Sequence, residues 1–202
     1  TLPIACQFTA TMCSTLPASF LMRRIGRRAG FTIGQCFGLV GALVCSYAIY
    51  RVNFYGFIAG SVLVGVHNAF WQYYRFAAAD TASEAYRSKA ISYVLAGGVV
   101  AAFVGPGLAV LSLDMFEGVR YAGSYIAVMG LILTAITVLQ FIDIPRDRAT
   151  ARRGDARPIM DIARQPAFIV AVLSAVVGYA VMALVMTATP LAMKTHGHGF
   201  SE

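Results

Sequence analysis

Charged residues are scarce in this sequence. Asp, Glu, Lys and Arg make up 12% of the 202 residues and apolar residues make up 58%, whereas a soluble domain usually carries about 25% charged residues. So few polar side chains cannot cover the surface of a water-soluble fold of this size. Acids are rarer still, with nine against sixteen bases, and none falls in the middle of a long apolar run. The composition therefore excludes an ordinary soluble domain and favours a membrane protein.

The sequence also lacks the usual signatures of metal binding and catalysis. Its four cysteines lie in apolar stretches without Cys-x-x-Cys spacing, so we expect no zinc site. Neither a Gly-x-Ser-x-Gly nor a His-Glu-x-x-His motif occurs. His196 and His198, close to the end of the chain, are too few to indicate a metal. We predict no cofactor, no metal and no enzymatic activity.

Six long apolar stretches are present, at about 3–22, 30–50, 54–77, 88–112, 121–142 and 167–191. A membrane-spanning helix needs about 20 mostly apolar residues. Only helices and closed barrels satisfy their backbone hydrogen bonds in lipid, and barrel strands would alternate polar and apolar residues. The stretches do not alternate, so they predict an all-α membrane protein with a multi-span helical bundle.

The bases are distributed unevenly over the connections between these spans. Thirteen of the sixteen Lys and Arg residues fall in connections on one face, and only Arg51, Arg120 and Lys194 fall on the other. By the positive-inside rule the first face is cytoplasmic. The formal charge of +7 is explained by this orientation, and we expect no nucleic-acid partner. Both ends of the chain, Thr1 and Glu202, are then expected outside the cell.

The longest connection, 143–166, is predicted to be a cytoplasmic linker. It contains six bases, four acids and three prolines. Residues 158–165 are predicted to form a short helix on the membrane surface, with Pro158 in its first turn. A solvated loop that only sets orientation is the alternative interpretation.

The connection after the first span is short and strongly basic. It contains Arg24-Ile25-Gly26-Arg27-Arg28, and Gly26 permits the backbone to reverse with a positive φ. This pattern resembles the signature loop between the second and third helices of the major facilitator superfamily, roughly G-x-L-x-D-R-x-G-R-R. Arg24, Gly26, Arg27 and Arg28 match that consensus.

Two positions in this loop depart from the family's pattern. Ser19 stands where the consensus has Gly, and Arg23 stands where it has Asp. That Asp normally takes part in a cytoplasmic charge latch, so the resemblance predicts that the latch of this chain differs from the usual form.

Two further segments carry the resemblance. The connection Asp80–Ala90 has an Asp followed by Arg87 and Lys89, as in the family's loop between helices four and five. The next span contains Gly105-Pro106-Gly107, which looks like the family's fifth helix, where Gly-Pro packs closely and kinks the helix.

The resemblance covers nearly the whole chain and implies a twelve-span carrier of two six-helix halves. The six spans correspond to helices two to seven, so the chain is expected to be incomplete at both ends. Residues 1–142 would be five spans of the N-terminal bundle, without its first helix. Residues 143–166 would be the linker, and 167–202 the first span of the C-terminal bundle and the start of an outer loop. The residues expected to serve the signature loop and latch are Arg24, Gly26, Arg27, Arg28, Arg75, Asp80 and Arg87.

One side of the span 54–77 is polar, which predicts a solute site. His67, Asn68 and Gln72 lie on that side, and a helix that is polar on one face in mid-membrane faces a cavity or a polar partner. His67 can donate, accept or carry a proton. Hydrogen bonding to a neighbouring helix is the alternative for all three. Proton coupling would need His67 or a carboxylate outside this chain.

Two weaker solute-binding candidates lie on other spans. Gln7 is a polar residue in the first span, and Tyr179 lies in the last span, which would line the cavity as family helix seven. For both residues, packing is the alternative role.

The function expected from the resemblance is secondary active transport of a small organic solute by alternating access. The protein would be a multi-pass integral membrane protein, in a bacterial inner membrane, with the lipid bilayer, a solute and a coupling proton or ion as partners. A membrane-embedded enzyme and a non-transporting sensor or truncated remnant are the alternatives.

Overall fold

The computed structural model describes residues 2–112, 115–116, 121–142 and 159–197, and regular structure in these ranges is entirely helical. The helices are α1 (Leu2–Ile25), α2 (Arg27–Tyr50), α3 (Phe54–Trp71), α4 (Tyr74–Thr81), α5 (Arg87–Leu111), α6 (Ala122–Phe141), α7 (Ile159–Ala163) and α8 (Pro166–Thr195), with a 3₁₀ turn at Glu84–Tyr86. The chain divides into two compact units, residues 1–147 and 148–202. The expected all-α class is confirmed.

Five helical segments of the described chain are long and apolar enough to cross a membrane: Arg27–Tyr50, Phe54–Thr81, Glu84–Leu111, Ala122–Phe141 and Pro166–Met193. The sixth expected span, α1, has the required length of 24 residues but is not among them. Its hydropathy is lowered by Gln7, several Thr and Ser residues and two arginines in the last turn. Its threonine hydroxyls donate to carbonyls four residues earlier, as Thr15 Oγ1 does to Thr11 O at 2.7 Å, so this polarity is largely satisfied within the helix.

The turn between α1 and α2 consists of one residue, Gly26, with φ 92° and ψ 158°. Only glycine adopts this backbone region without strain. The Gly26 N–H donates to Met22 O at 2.9 Å, which closes the last turn of α1. The predicted positive φ at Gly26 is confirmed, and it brings the basic residues at the end of α1 next to those at the start of α2.

The span predicted as one helix over 54–77 is interrupted and longer. α3 ends at Trp71, α4 begins at Tyr74, and the apolar segment continues to Thr81. At the interruption the Tyr73 N–H donates to Phe70 O, three residues back, at 3.0 Å. The Tyr73 hydroxyl donates to Thr15 O in α1 at 2.9 Å. The local turn and this bond to a neighbouring helix accompany the interruption, and neither shows in the apolar pattern.

The core of the first unit lies where α1 and α2 pack on α3. Thr11 Oγ1 of α1 donates to Gly65 O of α3 at 2.9 Å, and a side chain at Gly65 would collide with the backbone of Gln7. Phe31 and Phe70 are buried in the same region, together with Ala69. Close approach of the backbones through small residues is how helices associate in lipid, where apolar contact alone gives little advantage.

The described residues show no neighbour packed against Gly105, where the resemblance leads us to expect close packing. No other atom lies within 4 Å of a Cβ built at Gly105, and no residue of α5 is buried. The main contacts of α5 among the described residues are with α4, the 3₁₀ turn and α6, and the close packing stays a prediction. Pro106 lies inside α5, and the kink remains a prediction.

The second unit contains α7 and α8. The surface helix predicted over 158–165 is shorter, with five residues from Ile159 to Ala163. α8 is 30 residues long, and its described side chains are almost all exposed. Pro158, the rest of the linker over 143–157 and the outer loop from 198 onwards lie outside the described residues.

Candidate functional site

A cavity of about 350 Å³ lies between α2, α3 and α6 in the first unit. Polar side chains from α2 and α3 form one part of its wall, and α6 contributes an apolar part. The lining residues are Gln35, Gly38, Val64, His67, Asn68, Val128, Leu131, Ile132 and Ala135. The structure therefore brings two of the predicted solute-binding residues, His67 and Asn68, to one cavity.

His67 is oriented by the backbone of α2. Its Nδ1 lies 3.0 Å from Gly34 O, and because a carbonyl oxygen can only accept, Nδ1 carries the hydrogen. In the neutral imidazole Nε2 is then an acceptor. A Cβ at Gly38 would lie 2.8 Å from Cγ and Nδ1 of His67, so the ring occupies the space where α2 has no side chain. The helix-to-helix bond and a place in the cavity wall, posed as alternatives, coexist in this residue.

Gln35 is a member of the cavity wall that the sequence analysis missed. Its side chain is 5% exposed, and its Nε2 donates to the Tyr74 hydroxyl at 2.7 Å. A glutamine inside the apolar stretch of α2 was a usable signal, since polar residues within spans mark functional positions. The polar face of the span 54–77 gave no indication of Gln35, because Gln35 lies on a different helix.

The other three predicted solute-binding residues do not reach this cavity. Gln72 lies in the turn between α3 and α4 and is half-buried. Gln7 faces α3 with its backbone carbonyl, against Gly65. Tyr179 is 52% exposed on α8, in the second unit. Helical spacing had grouped Gln72 with His67 and Asn68, but the interruption after Trp71 breaks that register.

Three of the predicted latch residues, Arg27, Arg28 and Asp80, take part in a polar cluster at the ends of α2, α4 and α6. Arg27, the first residue of α2, forms an ion pair with Asp80 of α4. Arg28 Nη2 donates to Gln140 of α6, to the backbone oxygen at 2.6 Å and to Oε1 at 3.2 Å. These contacts join three helices at the face assigned to the cytoplasm. The pair exists although Arg23 replaces the consensus Asp.

The remaining basic residues of the predicted latch have separate environments. Arg24 is exposed. The Arg75 guanidinium lies 5.0 Å from the ring of Phe76, and Arg87 Nε donates to Ala79 O at 3.3 Å. Among the described residues, none of the three forms an ion pair with an acid. A cleft of about 360 Å³ beside the ion pair is lined by Ser19, Met22, Arg23, Arg27, Tyr73, Phe76 and Asp80.

A second, larger cavity adjoins the first. Its volume is about 580 Å³, and it shares Leu131 and Ala135 of α6 with the first cavity. Its wall is almost wholly apolar, apart from the Tyr74 and Thr81 side chains of α4 and Thr134 of α6. Among the described residues, no group of three or more His, Cys, Asp or Glu side chains could hold a metal.

The comparison with known families decides the membership of this chain. The family model described as Major Facilitator Superfamily matches residues 1–202. The chain belongs to the major facilitator superfamily. The resemblance inferred from the Arg24–Arg28 loop and the Asp80–Ala90 connection is thereby confirmed, as is a multi-pass integral membrane protein.

Two relatives in this family carry the comparison further. The riboflavin transporter RfnT of Brucella anthropi is 38% identical over 200 residues, which are 98% of this chain and 50% of that protein. The uncharacterized MFS-type transporter YddS of Bacillus subtilis is 29% identical over 196 residues, which are 89% of this chain and 45% of that protein. The chain thus spans about half the length of the relatives it matches. No solved structure matches it.

Proposed function

We propose that the protein is a secondary active transporter that moves a small organic solute by alternating access, and that the solute is riboflavin or a close flavin. The observation that carries the proposal is the 38% identity to a riboflavin transporter over 98% of this chain. Both relatives are bacterial, which supports a bacterial inner membrane as the location.

The cavity between α2, α3 and α6 is the proposed solute site. His67 lies near the middle of the Phe54–Thr81 segment, and transporter sites commonly lie near the membrane midplane. The cavity combines a few polar groups with an apolar wall, which is the usual character of small-molecule sites. His67 and Asn68 are its proposed polar contacts, and Leu131 represents its apolar side.

The contacts among α2, α4 and α6 are proposed to act as a conformational latch. Arg27 and Asp80 form the ion pair, and Arg28 holds the end of α6 through Gln140. In alternating access, two bundles rock about a central site, so contacts at one face bias the equilibrium between open and closed forms. For a coupling proton, His67 is the candidate in the described part of the chain.

The proposal is tested by riboflavin uptake in bacteria that cannot synthesise riboflavin. The protein is expressed from its full native reading frame, and uptake of labelled riboflavin is measured with and without a proton-gradient uncoupler. Cells with the protein are expected to accumulate riboflavin and to lose accumulation with the uncoupler. His67→Ala and Asn68→Ala are expected to lower uptake about tenfold each, as removal of one hydrogen bond worth about 1.4 kcal/mol would.

Cys36→Ala is the matched control, because Cys36 lies on α2 next to Gln35 and its side chain is exposed. Its uptake should equal that of the wild type. Binding of riboflavin to purified protein without any uptake would favour the sensor alternative. Uptake unaffected by both His67→Ala and Asn68→Ala would refute the site but leave the transporter assignment standing.

A further inference from the structure

The cleft beside the Arg27–Asp80 pair carries more positive than negative charge. Two guanidinium groups line it, those of Arg23 and Arg27, against one carboxylate, that of Asp80. Because Asp80 is paired with Arg27, no acid of the cleft is left to balance the charge of Arg23. Arg23 is exposed, and it forms no ion pair within the described part of the chain. The cleft therefore offers an accessible cation to an anion from outside this chain.

The excess of positive charge comes from the departure of this loop from the family's pattern. Arg23 stands where the consensus has Asp. With Asp at that position, the cleft would be lined by two carboxylates against one guanidinium, and an anion would be repelled. The single replacement reverses the sign of the charge in the cleft, so the preference for an anion belongs to this chain and does not follow from the resemblance.

The cleft lies at the depth of lipid headgroups. Arg23 lies in the last turn of α1, and Asp80 is the last residue but one of α4. The distribution of bases assigns these helix ends to the cytoplasmic face, where anionic lipids attract basic residues next to the membrane. A guanidinium group binds phosphate oxygens through two parallel hydrogen bonds. A lipid phosphate is therefore an anion that this cleft can meet at this depth.

One face of α1 continues from the cleft into the membrane as exposed apolar surface. Met12, Leu16, Ser19 and Arg23 follow one another at intervals of four, three and four residues, so they share that face. Met12 is 74% exposed and Leu16 is 70% exposed. From Met12 to Arg23 the helix rises about 16 Å, close to half of the roughly 30 Å hydrocarbon core of a bilayer. The face thus has a cation at headgroup level and apolar side chains over the depth of one leaflet.

We propose that the cleft binds the phosphate of an anionic phospholipid from the cytoplasmic leaflet. Arg23 is the ligand of the phosphate, and one acyl chain lies along Met12 and Leu16. Ser19 also lines the cleft, and its hydroxyl can donate to a phosphate oxygen. A zwitterionic phosphatidylcholine is disfavoured, because its trimethylammonium group would add a second positive charge beside Arg23.

The proposal goes beyond transport of a solute. The cleft and the cavity between α2, α3 and α6 have no lining residue in common, so lipid binding does not depend on the identity of the solute. It can be measured without any solute present.

Thermal unfolding of the detergent-purified protein, made from its full native reading frame, tests the inference. Phosphatidylglycerol, which is anionic, is compared with phosphatidylcholine at the same mole fraction. The melting temperature of the wild type is expected to be at least about 3 °C higher with phosphatidylglycerol. Arg23→Gln should lose this difference, and Arg23→Lys should keep part of it because the charge remains. Without lipid, Arg23→Gln should melt as the wild type does, since Arg23 is exposed.

Lys89→Gln is the matched control for the loss of one positive charge. Lys89 is exposed, belongs to a connection assigned to the same face, and does not line the cleft. This variant should keep the full preference for phosphatidylglycerol. An equal loss of the preference in Lys89→Gln and Arg23→Gln would show attraction by overall charge alone and overturn the inference.

Three further results would also overturn it. One is a preference for phosphatidylglycerol that Arg23→Gln retains. Another is equal stabilisation by inorganic phosphate, which would make the ligand a free anion rather than a lipid. The third is a wild type without any preference, as expected if the remainder of the full-length protein covers the cleft. None of these results bears on riboflavin uptake, so this inference and the proposed function can fail separately.

Discussion

At the scale of single residues, the position of His67 depends on a glycine in the neighbouring helix. The ring lies against Gly38, where a Cβ would come within 2.8 Å of its Cγ and Nδ1. The same packing holds Nδ1 at 3.0 Å from Gly34 O. A polar side chain in lipid is usually positioned by such contacts with other helices. The polar groups that line the cavity are therefore positioned partly by glycines, which have no functional side chain of their own.

Gly38→Ala is predicted to impair the site through His67. The added methyl group would lie 2.8 Å from Cγ and Nδ1 of the ring, so the imidazole must move and the bond to Gly34 O is expected to be lost. Riboflavin uptake should fall about tenfold, similar to the loss of one hydrogen bond, with the melting temperature also lowered.

Gly130→Ala is the matched control for this substitution. Gly130 lies in the middle of α6, and nothing lies within 4 Å of a Cβ built there, so uptake should be unchanged. Normal uptake by Gly38→Ala, together with a normal melting temperature, would show that the ring is not confined as described.

At the scale of elements, the ends of α2 and α4 are joined by an ion pair of modest strength. Arg27 and Asp80 link α2 to α4, and their side chains are 20% and 47% exposed. Exposed pairs of this kind contribute about 0–1 kcal/mol. That is too little to hold the fold together, but 1 kcal/mol changes the ratio of two conformations about fivefold. The pair is therefore expected to matter for conformational balance rather than for stability.

Asp80→Asn is predicted to change transport more than stability. If the pair acts as the proposed latch, removing the charge weakens it, and the rate of riboflavin uptake is expected to change by about fivefold or less. The melting temperature should fall by only a few degrees. Uptake rate and thermal unfolding are measured on the same variant.

The charge exchange Arg27→Asp/Asp80→Arg tests whether the pair itself is responsible. The double variant should recover part of the wild-type rate, whereas each single variant should not. Equal loss in the double variant and in the sum of the single variants would show that the two residues act independently.

At the scale of the whole molecule, orientation follows from the distribution of bases. The basic connections, including the Gly26 turn and the segment around Ser83, are assigned to the cytoplasm, and the connection at Arg51–Asn53 is assigned to the outside. α2 lies between two of these connections and is a candidate span. The two ends of α2 should therefore lie on opposite faces of the membrane.

Cysteine labelling in intact cells is predicted to confirm this orientation. Val52 is 91% exposed, and Ser83 is also exposed, so both positions tolerate a probe. In a protein whose native cysteines are all replaced by Ala, Val52→Cys should react with a membrane-impermeant maleimide. Ser83→Cys should react only after the cells are permeabilised. The reverse pattern would invert the topology and remove the cytoplasmic latch.

The sequence by itself was enough to predict that the helices lie in lipid rather than water, and to predict the fold class and the family. Charged residues are scarce, the apolar runs are long, and the arginines are concentrated in the connections on one face. These features predict a helical membrane protein, because burying charges or unpaired backbone groups in lipid is costly whatever the tertiary structure. The positive φ at Gly26 was likewise readable, since the tight basic turn left few other conformations. His67 and Asn68 were found because they are polar residues in an apolar span.

Only the tertiary structure decided which polar residues meet. The interruption after Trp71 separates Gln72 from His67, and the approach of α2 adds Gln35 to the cavity. Helical periodicity records which residues share a face of one helix, but not how neighbouring helices are placed around it. That placement depends on close contacts between helices, such as those at Gly38 and Gly65, whose partners are distant in sequence.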